Sequence, residues 1–265
     1  MDMMLMLGIL AAVFFLSLTL ICVYRDQINI KLFNVLFAIV DAIFYFIWNI
    51  GMYRRGWLNN GFKTLGNISP MIFTVIPFTF IMRDKVKEYA FSAIAFLWFG
   101  MFMAMLISPE YTYLYDYNTE ASLEYTGEAL CHMIASLFGI YLILTRQVKL
   151  TIGSWLKSMV FMYSVILFGV FINYFFHKSN FGMDPYGNYG IYMIDIFGTF
   201  EATLVAYLAG VLVVLTLGMQ TGALFDKLCT PKHVELSPLS NTMEAKKEGI
   251  TEQKGKPVAR KKKIE

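Results

Sequence analysis

Long apolar runs separated by short polar stretches set the frame of this chain. A helix needs about 20 mostly apolar residues to cross roughly 30 Å of hydrocarbon. Seven segments qualify, at roughly 3–24, 32–53, 64–82, 89–107, 126–145, 155–177 and 192–219. The pattern predicts an all-α, polytopic membrane protein with seven transmembrane helices. The third run contains Pro70 and Pro77, so a kinked or broken helix is expected there, tolerable where neighbours satisfy the freed backbone groups. The run from Met3 to Tyr24 is longer than a signal-peptide core, has only Asp2 as a charge before Arg25, and shows no cleavage site. It reads as a retained first helix. The domain division is 1–225 for the seven-helix membrane domain and 226–265 for a disordered, basic cytoplasmic tail, too poor in apolar residues to fold alone.

Charge orients the bundle. Arg25 and Lys31 follow the first run, Arg83, Lys85 and Lys87 the third, and Arg146, Lys149 and Lys157 the fifth; the tail closes on Arg260, Lys261, Lys262 and Lys263. On the other side, Glu110, Asp116, Glu120 and Glu124 lie between the fourth and fifth runs, and Lys178 stands alone after the sixth. Arg54, Arg55 and Lys63 run against the trend. The balance places the N-terminus outside and the C-terminus in the cytoplasm. The tail is then an ordinary positive-inside segment, or a contact for anionic headgroups or a cytoplasmic partner. Composition agrees with the membrane reading: the 265 residues are 57% hydrophobic and 15% charged, where a soluble domain carries roughly a quarter charged. Cys22, Cys131 and Cys229 are widely spaced in or beside apolar runs, with no visible disulfide framework or zinc spacing. Cys229 is open to lipidation.

Within this orientation, and at a rise of about 1.5 Å per residue, the polar residues of the runs gather in the outer half. Asp41 is near mid-membrane and Asn49 further out; Asn67 and Ser69 open the third run. Glu128 and His132, four residues apart, share one face of the fifth. Asn173 and His177 end the sixth, Asn180, Asp184 and Asn188 follow it, and Asp195 and Glu201 begin the seventh. Ionisable groups inside a membrane are costly and normally face protein or a water-filled space. A polar cavity in the outer half is therefore expected. Asn49 and Asn173 have the alternative role of bridging helices, Glu128 that of a solvated headgroup-level side chain, and His177 that of a structural residue. Cys131 is about 100° around the helix from His132, a poor nucleophile–base arrangement. The glycines Gly210 and Gly218 suggest close helix packing. No phosphate loop, HExxH or nucleophile elbow occurs, and no cofactor is expected.

Asn67-Ile68-Ser69-Pro70, then Pro77, Ser108-Pro109, His132, Asn173 and Asn180-Phe181-Gly182 together resemble the YwaF-type integral membrane proteins of bacteria, over about residues 30–220. That family is similar to a eukaryotic multispanning acyltransferase of ether phospholipids in which a cysteine and a histidine are implicated. The resemblance implies a seven-helix fold, a bacterial plasma membrane and acyl-transfer chemistry on lipids. The chain departs from it where the family carries Leu-His-Leu-Cys: here stand Lys63-Thr64-Leu65-Gly66, so the cysteine position is Gly66. A hydroxyl from Thr64 or Ser69 would have to replace the thiol.

The leading expectation is a lipid-directed enzyme of acyl transfer or hydrolysis, with His132, Glu128 and Ser69 as catalytic residues. Asn67, Asn173, Asn180, Asp41 and Asn49 would bind substrate. The alternatives are a small-ligand binding or transport protein with Asp41 coupling to protons, and a non-catalytic scaffold descended from an enzyme. A metal hydrolase using His132, His177, Glu128 and Asp195 lacks a two-histidine spacing. Expected partners are membrane lipids and a small-molecule ligand, not nucleic acid.

Overall fold

The computed structural model describes residues 3–54, 68–107, 119–176 and 195–230, and the side chains of 8–51, 53–54, 68–106, 126–171 and 195–230 among them. Asn67 and Asn180, the Lys63–Gly66 stretch, the acidic loop Glu110–Asp116, His177, and the tail beyond Thr230 lie outside the described residues.

Among the described residues there are seven helices of eleven residues or more: α1 (Met3–Tyr24), α2 (Ile30–Arg54), α3 (Ile68–Phe78), α4 (Asp84–Ile107), α5 (Thr119–Leu144), α6 (Ile152–Phe176) and α7 (Phe200–Cys229). No strand occurs among the described residues. Short polar side chains start several of them by holding otherwise orphaned N–H groups. The Leu32 N–H donates to Asn29 Oδ1 (3.2 Å), Ser154 N–H to Thr151 Oγ1 (3.2 Å) and Ala202 N–H to Thr199 Oγ1 (3.1 Å). Helix α3 ends one residue after Pro77, which has no N–H to continue the ladder. It is thus broken early, as the two prolines suggest, and turns through residues 79–83 into α4.

Five of these helices are long and apolar enough to cross a membrane, within Ile30–Gly51, Asp84–Leu106, Thr126–Leu144, Ile152–Phe171 and Phe200–Cys229; Gly8–Tyr24 and Ile68–Phe78 are shorter apolar helices. The protein is an all-helical membrane protein. Its outer helices present bare apolar side chains such as Phe46, Phe168 and Val205, each at least 60% exposed, the surface a helix offers to lipid rather than water.

Helix α5 is the centre, with 89% of its span buried against 11% for α2 and 22% for α6. Small residues let its neighbours close on it. A Cβ on Gly139 would strike the Ile94 carbonyl and Trp98, and one on Gly127 would lie 2.7 Å from the Trp48 backbone nitrogen. Trp98 ties three helices together: its carbonyl accepts from Ser136 Oγ on α5 (2.8 Å), and its indole N–H donates to the Gly218 carbonyl on α7 (2.9 Å). A Cβ at Gly218 would overlap the Phe96 carbonyl oxygen.

Paired contacts fix the direction of each helix. Trp48 meets Gly127 while Asn34 bonds Gln147 (2.8 Å), so α2 and α5 are antiparallel. Trp155 bonds Thr216 (3.3 Å) and Tyr163 bonds the Leu208 carbonyl (3.0 Å), making α6 and α7 antiparallel. The result gathers Arg25, Lys31, Lys87, Arg146, Lys149, Lys157 and Lys227 at one end of the bundle, hereafter the basic end.

Two features of that end differ from the sequence reading. Helix α7 continues to Cys229, past residue 219, and takes in the first residues assigned to the tail; the compact unit is Met1–Cys229. Cys229 is joined to Cys22 in a disulfide with Cα atoms 5.5 Å apart, so the thiol considered for lipidation is consumed. Arg25, its side chain 7% exposed, also reaches Asp226 at 3.7 Å. The ends of α1 and α7 are therefore stapled covalently and by charge. Cys131 is the free, buried cysteine.

Candidate functional site

The expected site residues fall into two places. The first is a closed seam between α2, α3 and α5. His132 on α5 is 4% exposed. Its Nδ1 lies 2.9 Å from the Glu128 carbonyl oxygen; a carbonyl only accepts, so Nδ1 carries the proton and donates. The edge of the Phe73 ring packs on the imidazole, with centroids 4.9 Å apart. Phe73 in turn meets Trp48 (5.9 Å) and Trp48 meets Tyr45 (5.8 Å). The imidazole thus belongs to an aromatic row that fills the seam.

Asp41, also on α2, is completely buried, and neither carboxyl oxygen has a hydrogen-bond partner among the described residues. The Trp48 indole nitrogen is likewise unpartnered. Glu128, Cys131 and His132 follow one another along α5, and Asp41 is buried on α2, the helix packed against it. Asn49 is turned to its own helix, donating from Nδ2 to the Tyr45 carbonyl at 2.6 Å, a back-bond that satisfies it locally. Asn173 is on α6, with its side chain outside the described set. Asp195 and Glu201 are exposed near the start of α7. No group of three His, Cys, Asp or Glu side chains able to hold a metal occurs among the described residues.

The second place is a cavity of about 390 Å³ between α3, α4 and α7, in the half of the bundle away from the basic end. Leu97, Met101, Val211 and Val214 give it apolar walls, and Ser69, Thr203 and Tyr207 bring hydroxyls. Ser69 is the one member of the expected catalytic set at this wall; His132, Glu128 and Asp41 are not among its lining residues. The polar seam and the open volume are thus different features. The cause is geometric. Facing α2 and α5 residues close on each other through Gly127 and the aromatic row, whereas Gly210 leaves room beside α7. At Gly210 a Cβ would meet no atom within 4 Å, so this glycine opens space while Gly218, two turns on, closes it.

Sequence reasoning passed over Thr203 and Tyr207. Their signal is their spacing with Gly210, at i, i+4 and i+7, which places all three on one helix face. A volume of this size falls in the range of small-molecule sites, which run from about 300 to 1,000 Å³ and are mainly apolar with a few polar groups. Compared with known protein families, curated proteins and solved structures, the chain matches none.

Proposed function

We propose that this is a lipid-directed membrane protein of a bacterial plasma membrane, crossing the bilayer seven times with its N-terminus outside. In this reading the basic end is cytoplasmic and the cavity lies in the outer half, where it receives the acyl chain of a membrane lipid. The observation that carries the reading is the apolar cavity between α3, α4 and α7, with Ser69, Thr203 and Tyr207 among its lining residues. Aliphatic walls suit a hydrocarbon chain, and a few polar residues among them suit the ester group at its head. The short motifs shared with YwaF-type proteins support the same lipid-directed reading. Lipid capture is favoured over acyl chemistry, because His132 is packed in the seam while Ser69 stands at the cavity.

The test is photo-crosslinking in nanodiscs with a phospholipid carrying a diazirine in its acyl chain. Label is expected on α4 and α7 peptides around Gly100 and Gly210, and Gly210→Phe, which places a ring in open space, is expected to remove most of it. Gly8→Phe, a site on α1 where a Cβ also meets no atom within 4 Å, serves as the control and is expected to leave labelling intact. Equal labelling in wild type and Gly210→Phe would overturn the reading.

A further inference from the structure

At the basic end a second cleft of about 270 Å³ opens between the first turns of α4, the α5–α6 connection and the start of α6. About half of its wall is polar: Arg146, Lys149, Lys157, Glu88, Thr151 and Ser154 line it beside Phe91 and Val148. Lys157 is paired with Glu88. Arg146 and Lys149 are exposed and make no ion pair among the described residues. Three cations against one carboxylate leave the lining with two uncompensated positive charges.

Arg146 stands out on a second, independent ground. It ends α5 with φ at +58°, the one non-glycine residue with positive φ among the described residues. Glycine is the residue that this left-handed position at a helix end favours. An arginine there forgoes the relaxed backbone and gains a guanidinium at the cleft. Such local strain is retained where a side chain has a task. The planar guanidinium fork matches the oxygens of a phosphate, and an ammonium beside it adds charge.

We propose that this cleft binds a phosphate-bearing anion, through Arg146 and Lys149, at the level where the bundle leaves the membrane. The chemistry is shared by the phosphate of an anionic phospholipid headgroup and by free phosphate. It is distinct from the acyl-chain cavity at the other end, so either site can fail without the other.

Two arms separate the sources. In the first, the purified full chain is mixed with phosphatidic acid in phosphatidylcholine nanodiscs, and retained lipid is counted by native mass spectrometry. In the second, delipidated protein in detergent is titrated with inorganic phosphate by calorimetry. Retention of phosphatidic acid assigns a headgroup site; a heat of phosphate binding without lipid assigns a soluble anion. In either arm, the double variant Arg146→Gly with Lys149→Gln is expected to weaken binding by about ten-fold or more, the scale of losing charge-assisted hydrogen bonds. The glycine suits the backbone at that position, so a folding failure is not the expected cause of a loss. Lys31→Gln, at the same end but outside the lining, is expected to leave binding unchanged. The proposal falls if neither anion binds, if the double variant binds as wild type does, or if Lys31→Gln weakens binding as much as the double variant does. The last result would mean diffuse surface charge.

Discussion

Two glycines on one helix should respond oppositely to the same substitution. Gly→Ala within a helix gains about 0.8–1 kcal/mol of intrinsic propensity, and this applies to both Gly210 and Gly218. At Gly210 nothing lies within 4 Å of the new methyl, so the gain stands and Gly210→Ala is expected to stabilise by up to about 1 kcal/mol. At Gly218 the methyl would overlap the Phe96 carbonyl oxygen and sit 2.7 Å from its carbon. Carbon atoms rest about 3.5–4 Å apart, so α4 and α7 must separate by roughly an ångström. Overpacking of this kind costs about 1–3 kcal/mol. The same displacement pulls at the 2.9 Å bond from the Trp98 indole to the Gly218 carbonyl; loss of one partner of a buried bond adds about 1–3 kcal/mol. The net for Gly218→Ala, after the propensity gain, is a loss of about 1–5 kcal/mol. Thermal unfolding in detergent reads both variants, using a thiol-reactive dye: Cys131 is fully buried and free, so it reacts as the bundle opens. A Gly218→Ala midpoint at or above wild type would refute the close α4–α7 packing on which the fold description rests.

Three further outcomes are expected. Replacing Cys22 and Cys229 by serine should cost about 2–5 kcal/mol in purified, oxidised protein and nothing under reductant, as read by thermal unfolding followed by circular dichroism with and without dithiothreitol. The state of this pair in cells also tests the orientation. Disulfides are rare in the cytosol, so maleimide labelling after rapid quenching should find free thiols, and a fully oxidised pair would put the basic end outside. His132→Ala is expected to cost about 2–4 kcal/mol, the scale of emptying a packed aromatic site, while leaving acyl-chain crosslinking at α4 and α7 in place. Loss of crosslinking in a variant of unchanged stability would make His132 part of the lipid site after all.

The runs themselves announce most of the helices, because bilayer length leaves little freedom once about 20 apolar residues stand together. The caps at Asn29, Thr151 and Thr199 and the stop at Pro77 are readable for the same local reason. The end of α7 is not. Past Met219 the helix alternates Gln220, Thr221, Asp226 and Lys227 with Leu224, Phe225 and Leu228, so its hydropathy fades while its hydrogen-bond ladder continues. The Cys22–Cys229 bond spans 207 residues, and no local spacing signals it. Which way Glu128, His132 and Asp41 point was equally hidden, since helices apolar all round show no preferred face. The cavity is least legible of all. It exists beside Gly210, which withholds a side chain on α7, and an absence has no periodicity.

The bond between Cys22 and Cys229 also constrains how the chain is threaded. Both cysteines sit at the C-terminal ends of their helices, so α1 and α7 point the same way, and the turns between them must be even in number. Antiparallel hairpins can enter a bilayer two by two; an odd helix has no such companion. The staple falls on the two helices at either end of the series, and it cannot close until residue 229 has been made. It closes in oxidised, purified protein; with the basic end in a reducing cytosol the two thiols stay free, and the Arg25–Asp226 pair joins the two ends instead.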